Sequence, residues 1–359
     1  MADSEIQASS IGNTFPPIKV ESLHDKGNDR IKGFYTISIE ETDQLSKAFS
    51  DLIILKDFLQ ASKVAEPSRI TARFFVNKNV DIPTNLRDDI EAQIGLEGEF
   101  SEYNLVYVGR NFNGRRASSE VLELQRLEAD RIERAVQFSG SCSLELIKQR
   151  DVVIKTVKPS SNEQEFKCFA REVLELYQKS FFGDYAFPMN LESVMALLRR
   201  DTNIVRVVQE RRTGKLCSIG VGETVKIPIS FNGTNREFYM AEISDAATLK
   251  EYKGRHYYSA IAAEITCDLL KAGVDLLYGE ARSASPQVMT VCKKTGRQLA
   301  RDLHGRPAIL HRHCIISGAK DERLNDADQN EKYKGLENLT LWYATRNQLM
   351  SLYAPNGNN

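Results

Sequence analysis

Hydrophobic and polar positions follow two periods along the chain, and the order of these periods predicts two α/β units. In the first unit, strand patterns over 31–39, 70–76 and 103–110 flank helical patterns over 40–62 and 81–98. β-Branched and aromatic residues dominate the strand segments, whereas apolar residues recur every three or four positions in the helical ones. This β-α-β-α-β order predicts a small layered α/β domain.

The second unit shows the same mixture over a longer stretch. Strand patterns occupy 151–159, 203–227, 236–249, 274–282, 308–318 and 336–345, with a hairpin turn at Thr213-Gly214. Helical patterns occupy 163–182, 191–200, 257–273 and 285–296, and Gly273 suits the left-handed position that ends a helix. We therefore predict an α/β protein with a mixed sheet of the α+β type. Its expected parts are a disordered tail (1–17), a smaller N-terminal α/β domain (18–140) and a larger domain (141–350).

Composition places the chain among ordinary globular proteins. It has 359 residues, of which 42% are hydrophobic and 27% charged, with a net charge of -1. This charge gives no field that would favour nucleic acid or an acidic membrane, and no 18-residue apolar run predicts a membrane span. The six cysteines form no CxxC pair and the N-terminus has no apolar signal region, which favours a reducing cytoplasm. The sequence does not predict the oligomeric state.

The segment "EYKGRHYYSA" (251–260) connects the predicted strand 236–249 to the predicted helix 257–273. A helix N-terminus offers N–H groups and a partial positive charge to an anion. Lys250, Lys253 and Arg255 add positive charge beside it, so the turn could hold a phosphate. A simple helix cap explains the same position, and the turn by itself leaves the two interpretations open.

Five segments resemble one known family and occur in its order. They are "HDKGNDRI" (24–31), "YQKSFFGDYAFP" (177–188), "AEISDAATLKEYKGR" (241–255), "LYGEARSASP" (277–286) and "LENLTLWYA" (336–344). Through them the chain resembles the β-lysine N-acetyltransferases of the GNAT superfamily, which are acyl-CoA-dependent. The resemblance implies a GNAT acyl-CoA N-acyltransferase fold and direct transfer of acetyl from acetyl-CoA to an amine. It implies no metal.

The resemblance also implies positions for the acetyl-CoA donor. In this fold a central strand splays from its neighbour, and its backbone would hold the pantetheine arm at Ala247 and Leu249. The cofactor-binding turn at the helix start would comprise Lys253, Gly254, Arg255, His256 and Ser259. His256 and Tyr258 replace two glycines of the superfamily turn, so we expect them to obstruct the usual pose of the diphosphate. Met289 replaces a common asparagine of the superfamily.

Candidate catalytic groups lie on the central strand and the later helix. Glu242 and Asp245 could act as the general base, and strand periodicity predicts that they face opposite sides. Cys292 stands where the superfamily often places a tyrosine as general acid, although a buried cysteine is also simply a small hydrophobic residue. A small amine substrate, such as a β-lysine-like or diamine amino acid, would require further acidic groups. Asp29, Asp184 and Glu280 are candidates for that role.

Two alternatives remain open at the sequence level. The altered turn is also compatible with a GNAT-fold protein that has lost normal acetyl-CoA use and acts with a different donor or as a binding or regulatory module. The "HRHC" segment (311–314) raises the question of a zinc site. Zinc needs three or four converging ligands, however, and no second Cys/His cluster is close in sequence. A polar strand face explains the histidines, and Trp342 is expected in the core.

Overall fold

The computed structural model describes residues 18–25, 30–61, 69–112, 128, 132–137, 151–159, 161–181, 190–231, 233–282, 286–312 and 337–353. Thirteen strands lie in these ranges: β1 Ile18–Asp25, β2 Arg30–Tyr35, β3 Arg69–Asn77, β4 Ile90–Gly95, β5 Tyr103–Asn111, β6 Val152–Val157, β7 Asn203–Glu210, β8 Leu216–Phe231, β9 Thr234–Thr248, β10 Leu276–Arg282, β11 Gln298–Leu299, β12 Ile309–Arg312 and β13 Glu337–Thr345. The labelled helices are α1 Thr42–Ala61, α2 Glu163–Phe181, α3 Leu191–Arg199, α4 Tyr257–Ala272, α5 Pro286–Lys294 and α6 Arg346–Tyr353.

Two mixed sheets organise the described residues. The first has five strands in the order β1-β2-β3-β5-β4, and the second has the path β11-β13-β10-β9-β8-β7-β6, with β12 paired to β13. Each sheet contains one parallel pair, β2–β3 in the first and β9–β10 in the second, and its remaining pairs are antiparallel. The predicted α/β class with a mixed sheet is confirmed. The domain boundaries at 17 and 140 stay a prediction.

Three hydrophobic clusters separate four layers. One cluster lies between α1 and the first sheet, and another lies between the second sheet and helices α2, α3 and α4. The third contains side chains from both sheets, such as Phe75 of β3 and Phe238 of β9, whose ring centroids are 5.0 Å apart and edge to face. Aromatic pairs of this geometry stabilise an interface beyond their buried area. The two sheets are therefore packed face to face.

Helix α4 illustrates how the sequence fixes an element that positions the site. Small residues lie on the strand beneath it: a Cβ on Gly220 or Gly222 would collide with Ile261 or Ile265 of the helix. The helix ends at Gly273, which has φ +88° and donates its N–H back into the last turn, as the sequence predicts. Close approach of α4 to β8 fixes the start of the helix against the end of β9.

Several elements differ from the sequence prediction. The segment over 81–98 was predicted as a helix, but it contains a short 3₁₀ turn, Thr84–Asp89, followed by β4. The residues of this segment are compatible with a helix, but the backbone of β4 forms its hydrogen bonds with β5 instead. Strand β1 was not predicted and pairs with β2. The predicted strand over 308–318 is described only as β12. No helix in the described part of the chain is long and apolar enough to cross a membrane.

Candidate functional site

Strands β9 and β10 separate partway along their length. Their parallel pairing covers three positions, from Met240 opposite Leu276 to Glu242 opposite Tyr278. Beyond that point β9 continues on β8 as far as Thr248, and β10 continues on β13 as far as Arg282. We call the opening between 243–248 and 279–282 the strand split. It lies at the carboxyl ends of two parallel strands, where α/β sheets commonly bind ligands.

A β-bulge at Asp245 shapes one side of the strand split. Ser244 pairs with Val221 and Ala247 with Ile219, so two residues of β9 face the single residue Gly220. Asp245 has φ +44°, and its carbonyl accepts a hydrogen bond from the Tyr177 hydroxyl of α2 at 2.9 Å. The bulge interrupts the two-residue period of the strand. Strand geometry therefore does not support the prediction that Glu242 and Asp245 face opposite sides of the strand.

The backbone of β9 contacts β8 at two positions that were predicted to hold the donor. The Leu249 N–H donates to the Cys217 carbonyl at 3.1 Å, and the Ala247 carbonyl accepts from the Ser218 hydroxyl at 3.0 Å. Because backbone groups alternate in direction along a strand, those of Ala246 and Thr248 point to the strand split instead. The role of Ala247 and Leu249 in holding the donor stays a prediction.

Glu242 lies at the last paired position before the strand split and is partly buried. Burial raises the pKa of its carboxyl to about 6; Lys32 and a Tyr278 hydrogen bond lower it, while Glu280 and Glu223 raise it further. A carboxylate with this pKa is largely ionised at neutral pH and is close enough to it to exchange protons efficiently. Glu280 is on β10 and also affects this pKa, so the structure brings these two predicted acids together.

The first sheet covers the Glu242 side of the second sheet. A cavity of about 20 Å³ lies between them, enough for a single water molecule. Its polar lining comes from both sheets and comprises Lys32, Thr71, Arg73, Glu91, Tyr107 and Glu280. Burial raises the pKa of the Tyr107 hydroxyl, and the charge of Arg73 beside it and a hydrogen bond with Arg73 lower that pKa in part. Sequence reasoning missed Lys32, Arg73 and Tyr107, because strands distant in sequence bring them here.

The turn before α4 has the backbone of a glycine-rich turn with only one glycine. Gly254 has φ +76° and His256 has φ +62°, so the histidine adopts the left-handed conformation that favours glycine. The first intrahelical bond runs from the Ala260 N–H to the His256 carbonyl at 3.1 Å. Lys253 and Arg255 are exposed, and the Arg255 guanidinium lies 5.2 Å from the centre of the Tyr252 ring.

Tyr258 and Ser259 point into the protein rather than into this turn. Ser259 is buried in the first turn of α4, and the Tyr258 ring lies near Gly220, where an added Cβ would be 3.7 Å from it. Burial raises the pKa of Tyr258 to about 12, Arg297 lowers it, and Glu242 and Cys292 raise it. Tyr258 was expected to obstruct the turn, but its ring lies on the sheet side of the helix and therefore away from the turn.

Cys292 and Arg297 complete the helix side of the strand split. Cys292 is buried in a cluster with Met289 and Trp342, and burial raises the pKa of its thiol. Arg297 lies beside Tyr258 and Cys292 and lowers the pKa of both. Sequence reasoning missed Arg297, because its neighbours Lys293, Lys294 and Gln298 are polar and give no local signal of burial.

Several predicted positions lie elsewhere. Asp29 and Asp184 lie outside the described residues, as do His313 and Cys314 of the "HRHC" segment. His311 is on β12, and His304 is exposed in a turn. Among the described residues, no group of three or more His, Cys, Asp or Glu side chains is arranged to hold a metal ion.

Comparisons with known proteins gave structural matches alone. No family model and no curated protein matches the sequence. Similar solved structures include an N-acetyltransferase from Staphylococcus aureus Mu50, with TM-score 0.38 and 12% identity over 55% of this chain and 99% of that one. Arabidopsis thaliana NAA60 in complex with acetyl-CoA gives 0.37 and 11%, over 55% and 99%. A GNAT-family acetyltransferase from Streptococcus pneumoniae gives 0.37 and 12%, over 54% and 99%. These TM-scores lie below 0.5, so we base no argument on the likeness.

Proposed function

We propose that the chain is an N-acyltransferase that moves an acyl group from acyl-CoA, with acetyl-CoA as the first donor to test, to the amine of a small amino acid. The observation that carries this proposal is the strand split, which opens directly before α4. Backbone groups of β9 then face an opening that also reaches a partly buried carboxylate. A thioester in this opening would meet a base on one side and a helix N-terminus on the other.

Glu242 is the candidate general base. It has to accept a proton from the substrate ammonium, directly or through water, so that the free amine can attack, and its pKa of about 6 suits that role near neutral pH. Asp245 remains a second candidate, but its side chain belongs to a bulge that α2 holds in place through Tyr177. We therefore favour Glu242 over Asp245.

The amine substrate would approach from the side of the first sheet. Glu280 could accept the second ammonium of a diamine, and Lys32 could hold a carboxylate, because both side chains line the cavity between the sheets. Opposite charges on facing walls suit an amino acid with two amines and one carboxylate. The cavity holds about one water in this structure, so the substrate requires the two walls to separate locally.

The donor would lie along β9 and end at the turn before α4. Ala246 and Thr248 would hold the pantetheine arm, while Lys253, Gly254, Arg255 and the first turn of α4 would hold the diphosphate. His256 already has the backbone conformation of the missing glycine, and its side chain is exposed. The acid that protonates the departing thiolate would be Tyr258, with Cys292 as the earlier sequence-based candidate.

The alternative of an altered donor is favoured by one observation. The helix side of the strand split contains a buried arginine, Arg297, to whose Nε and Nη1 an acetyl group would offer no anionic partner. This observation favours a donor other than acetyl-CoA, and the proposed reaction remains N-acyl transfer. A solely regulatory role has no comparable support among the described residues.

Calorimetric titration tests the proposal. Coenzyme A and acetyl-CoA should bind with micromolar dissociation constants, and Glu242→Gln should leave that binding within threefold of wild type. Incubation with acetyl-CoA and a mixture of diamines and dibasic amino acids should then yield a product heavier by one acetyl group, detected by mass spectrometry. Absence of coenzyme A binding at millimolar concentration would refute the proposed function.

A further inference from the structure

Arg297 is a buried cation whose guanidinium is largely unpaired. The residue is 2% exposed, and its Nη2 donates one hydrogen bond, to the Thr295 hydroxyl at 3.0 Å. Its Nε and Nη1 atoms are buried and have no hydrogen-bond partner among the described residues, and no carboxylate there forms an ion pair with it. An arginine stays charged in proteins, so this site carries a full positive charge next to two neutral hydroxyls, those of Thr295 and Tyr258.

The unpaired Nη1 lies at the strand split. Gly279 is the first residue of β10 beyond the paired region, and a Cβ there would lie 2.6 Å from Nη1 and 3.5 Å from the Ile243 carbonyl. Ile243 is likewise the first residue of β9 beyond the paired region. The absence of a side chain at Gly279 leaves room for the guanidinium at the point where the two strands separate. The charge therefore lies where the reacting end of the donor would be placed.

The unpaired charge makes a bound anion the simplest explanation. Burying a charge without a partner is costly, and such a group persists where the cost serves function. The transient charge on a thioester oxygen would pair with Arg297 only during the reaction and would leave it unpaired in the resting complex. A carboxylate on the acyl group would pair with it in every bound state, and carboxylates match the geometry of a guanidinium.

We infer that Arg297 is a specificity residue for the acyl donor and that it binds the carboxylate of a carboxyacyl thioester, such as a succinyl thioester. This inference rests on the proposed function and changes its donor. The neutral amine nitrogen bonds to the acyl carbon and loses a proton to Glu242, the carbon–sulfur bond breaks, and the thiolate leaves with the electron pair and takes a proton from an acid such as Tyr258. The distal carboxylate stays ionised throughout and remains on the amide product.

Binding of two donors of equal chain length provides the test. Succinyl-CoA and butyryl-CoA each carry a four-carbon acyl group, and the former alone has the terminal carboxylate. Wild-type protein should bind succinyl-CoA at least tenfold more tightly than butyryl-CoA by calorimetry. Arg297→Met should abolish this preference, Arg297→Lys should retain part of it, and the exposed Arg199→Met should leave it unchanged.

A thermal melt without ligand supplies a second readout. Arg297→Met removes an unpaired buried charge at similar volume, so its melting temperature should equal or exceed that of wild type. A clearly lower melting temperature would identify Arg297 as a structural residue and overturn the inference. If that variant does not fold, the ratio of the two affinities in the wild type still decides the matter.

The possible failures are distinguishable. If coenzyme A itself does not bind, the proposed function fails. If coenzyme A binds but the wild type holds both donors equally, the inference about Arg297 fails and the proposed function stands. A preference for succinyl-CoA that persists in Arg297→Met would also overturn the inference, because the carboxylate would then bind elsewhere.

Discussion

Arg73 Nη1 donates a hydrogen bond to the hydroxyl of Tyr278 at 3.2 Å, and this contact joins the two sheets. Arg73 belongs to β3 and Tyr278 to β10, which are separated by 205 positions in sequence. The Arg73 guanidinium also lies 3.8 Å from the centre of the Phe34 ring, so its charge is held by an aromatic face and a hydroxyl. Tyr278 in turn donates to Glu242. The first sheet thus reaches the candidate base through one hydroxyl.

Tyr278→Phe should lower the stability and alter the titration of Glu242. Loss of a hydrogen bond to a buried charged group should reduce the free energy of unfolding by about 2 kcal/mol in urea denaturation at pH 7. The pKa of Glu242 should rise above about 6, because the carboxylate loses a donor. If Glu242 is the base, the acidic limb of the plot of acyl-transfer rate against pH should therefore move to higher pH.

The matched control is Tyr239→Phe on neighbouring β9, whose ring contacts Lys226. Its stability should stay within about 0.5 kcal/mol of wild type. Equal losses in the two variants would show that the Tyr278 hydroxyl has no special role at the interface.

Glu242→Gln should change how stability depends on pH. The folded-state pKa of about 6 exceeds the ordinary value of 4.5, so the folded protein binds the proton more tightly than the unfolded chain does. The contribution of Glu242 to stability is therefore complete below pH 4.5 and is lost as the pH rises through 6. Relative to wild type, the variant should gain about 2 kcal/mol between pH 4 and pH 7, since one pKa unit corresponds to about 1.4 kcal/mol.

Urea denaturation at four pH values measures this difference. Glu237→Gln provides the control, because Glu237 is on the same strand but exposed and paired with Lys226. Its difference from wild type should stay constant across the range. A constant difference for Glu242→Gln as well would mean that its carboxyl is not perturbed. In activity assays Glu242→Gln should lower kcat by 10²- to 10⁴-fold if Glu242 is the base.

Opposite effects are expected at two neighbouring positions of the turn before α4. His256→Gly should raise the free energy of unfolding by about 0.5–1 kcal/mol, because a non-glycine residue at φ +62° is strained. Gly254→Ala should lower it by about 1 kcal/mol, because φ is +76° there, although a Cβ would meet no atom within 4 Å. Chemical denaturation measures both variants. Destabilisation by His256→Gly would mean that contacts of the imidazole outweigh the backbone strain.

A buried ion pair in the first sheet requires a glycine beside it. Arg69 of β3 pairs with Glu91 of β4, and a Cβ on Gly109 of β5 would overlap both side chains. Gly109→Ala should therefore cost about 3 kcal/mol or more, because disrupting a buried pair leaves uncompensated charge. Gly95→Ala on β4 is the control, since its Cβ would be 3.8 Å from the nearest atom. A loss below 1 kcal/mol for Gly109→Ala would contradict the described packing.

Local pattern was sufficient for most of the elements around the site. Helix α4 has a continuous apolar face and a terminal glycine, and β9 and β10 each contain a short apolar stretch (238–241 and 276–278), so their types and order were predicted. β4 was predicted wrongly, because Glu91, Ala92 and Gln93 are compatible with a helix, and pairing with β5 makes the segment a strand. β1 was missed for a similar reason, since its partner β2 determines it.

The residues of the candidate site likewise fall into some that the sequence predicted and others that it did not. Glu242, Glu280 and Cys292 were named from the sequence, because they occupy the strands and the helix that flank a recognisable turn. The bulge at Asp245 was not predicted, and it shifts the register of β9 on β8 before Ala247 and Leu249. A bulge depends on how two strands pair, and one strand alone does not specify it.

The sequence by itself determined the α/β class, the order of β9, α4 and β10, and the turn that precedes α4. These features depend on short-range periodicity and on backbone preferences of single residues. The tertiary structure alone decided that Lys32, Arg73 and Tyr107 line the Glu242 side, and that Arg297 lies at the strand split with two nitrogens that have no hydrogen-bond partner among the described residues. Burial and pairing of charges depend on the low-dielectric space that distant segments create together, and no local pattern of residues encodes that space.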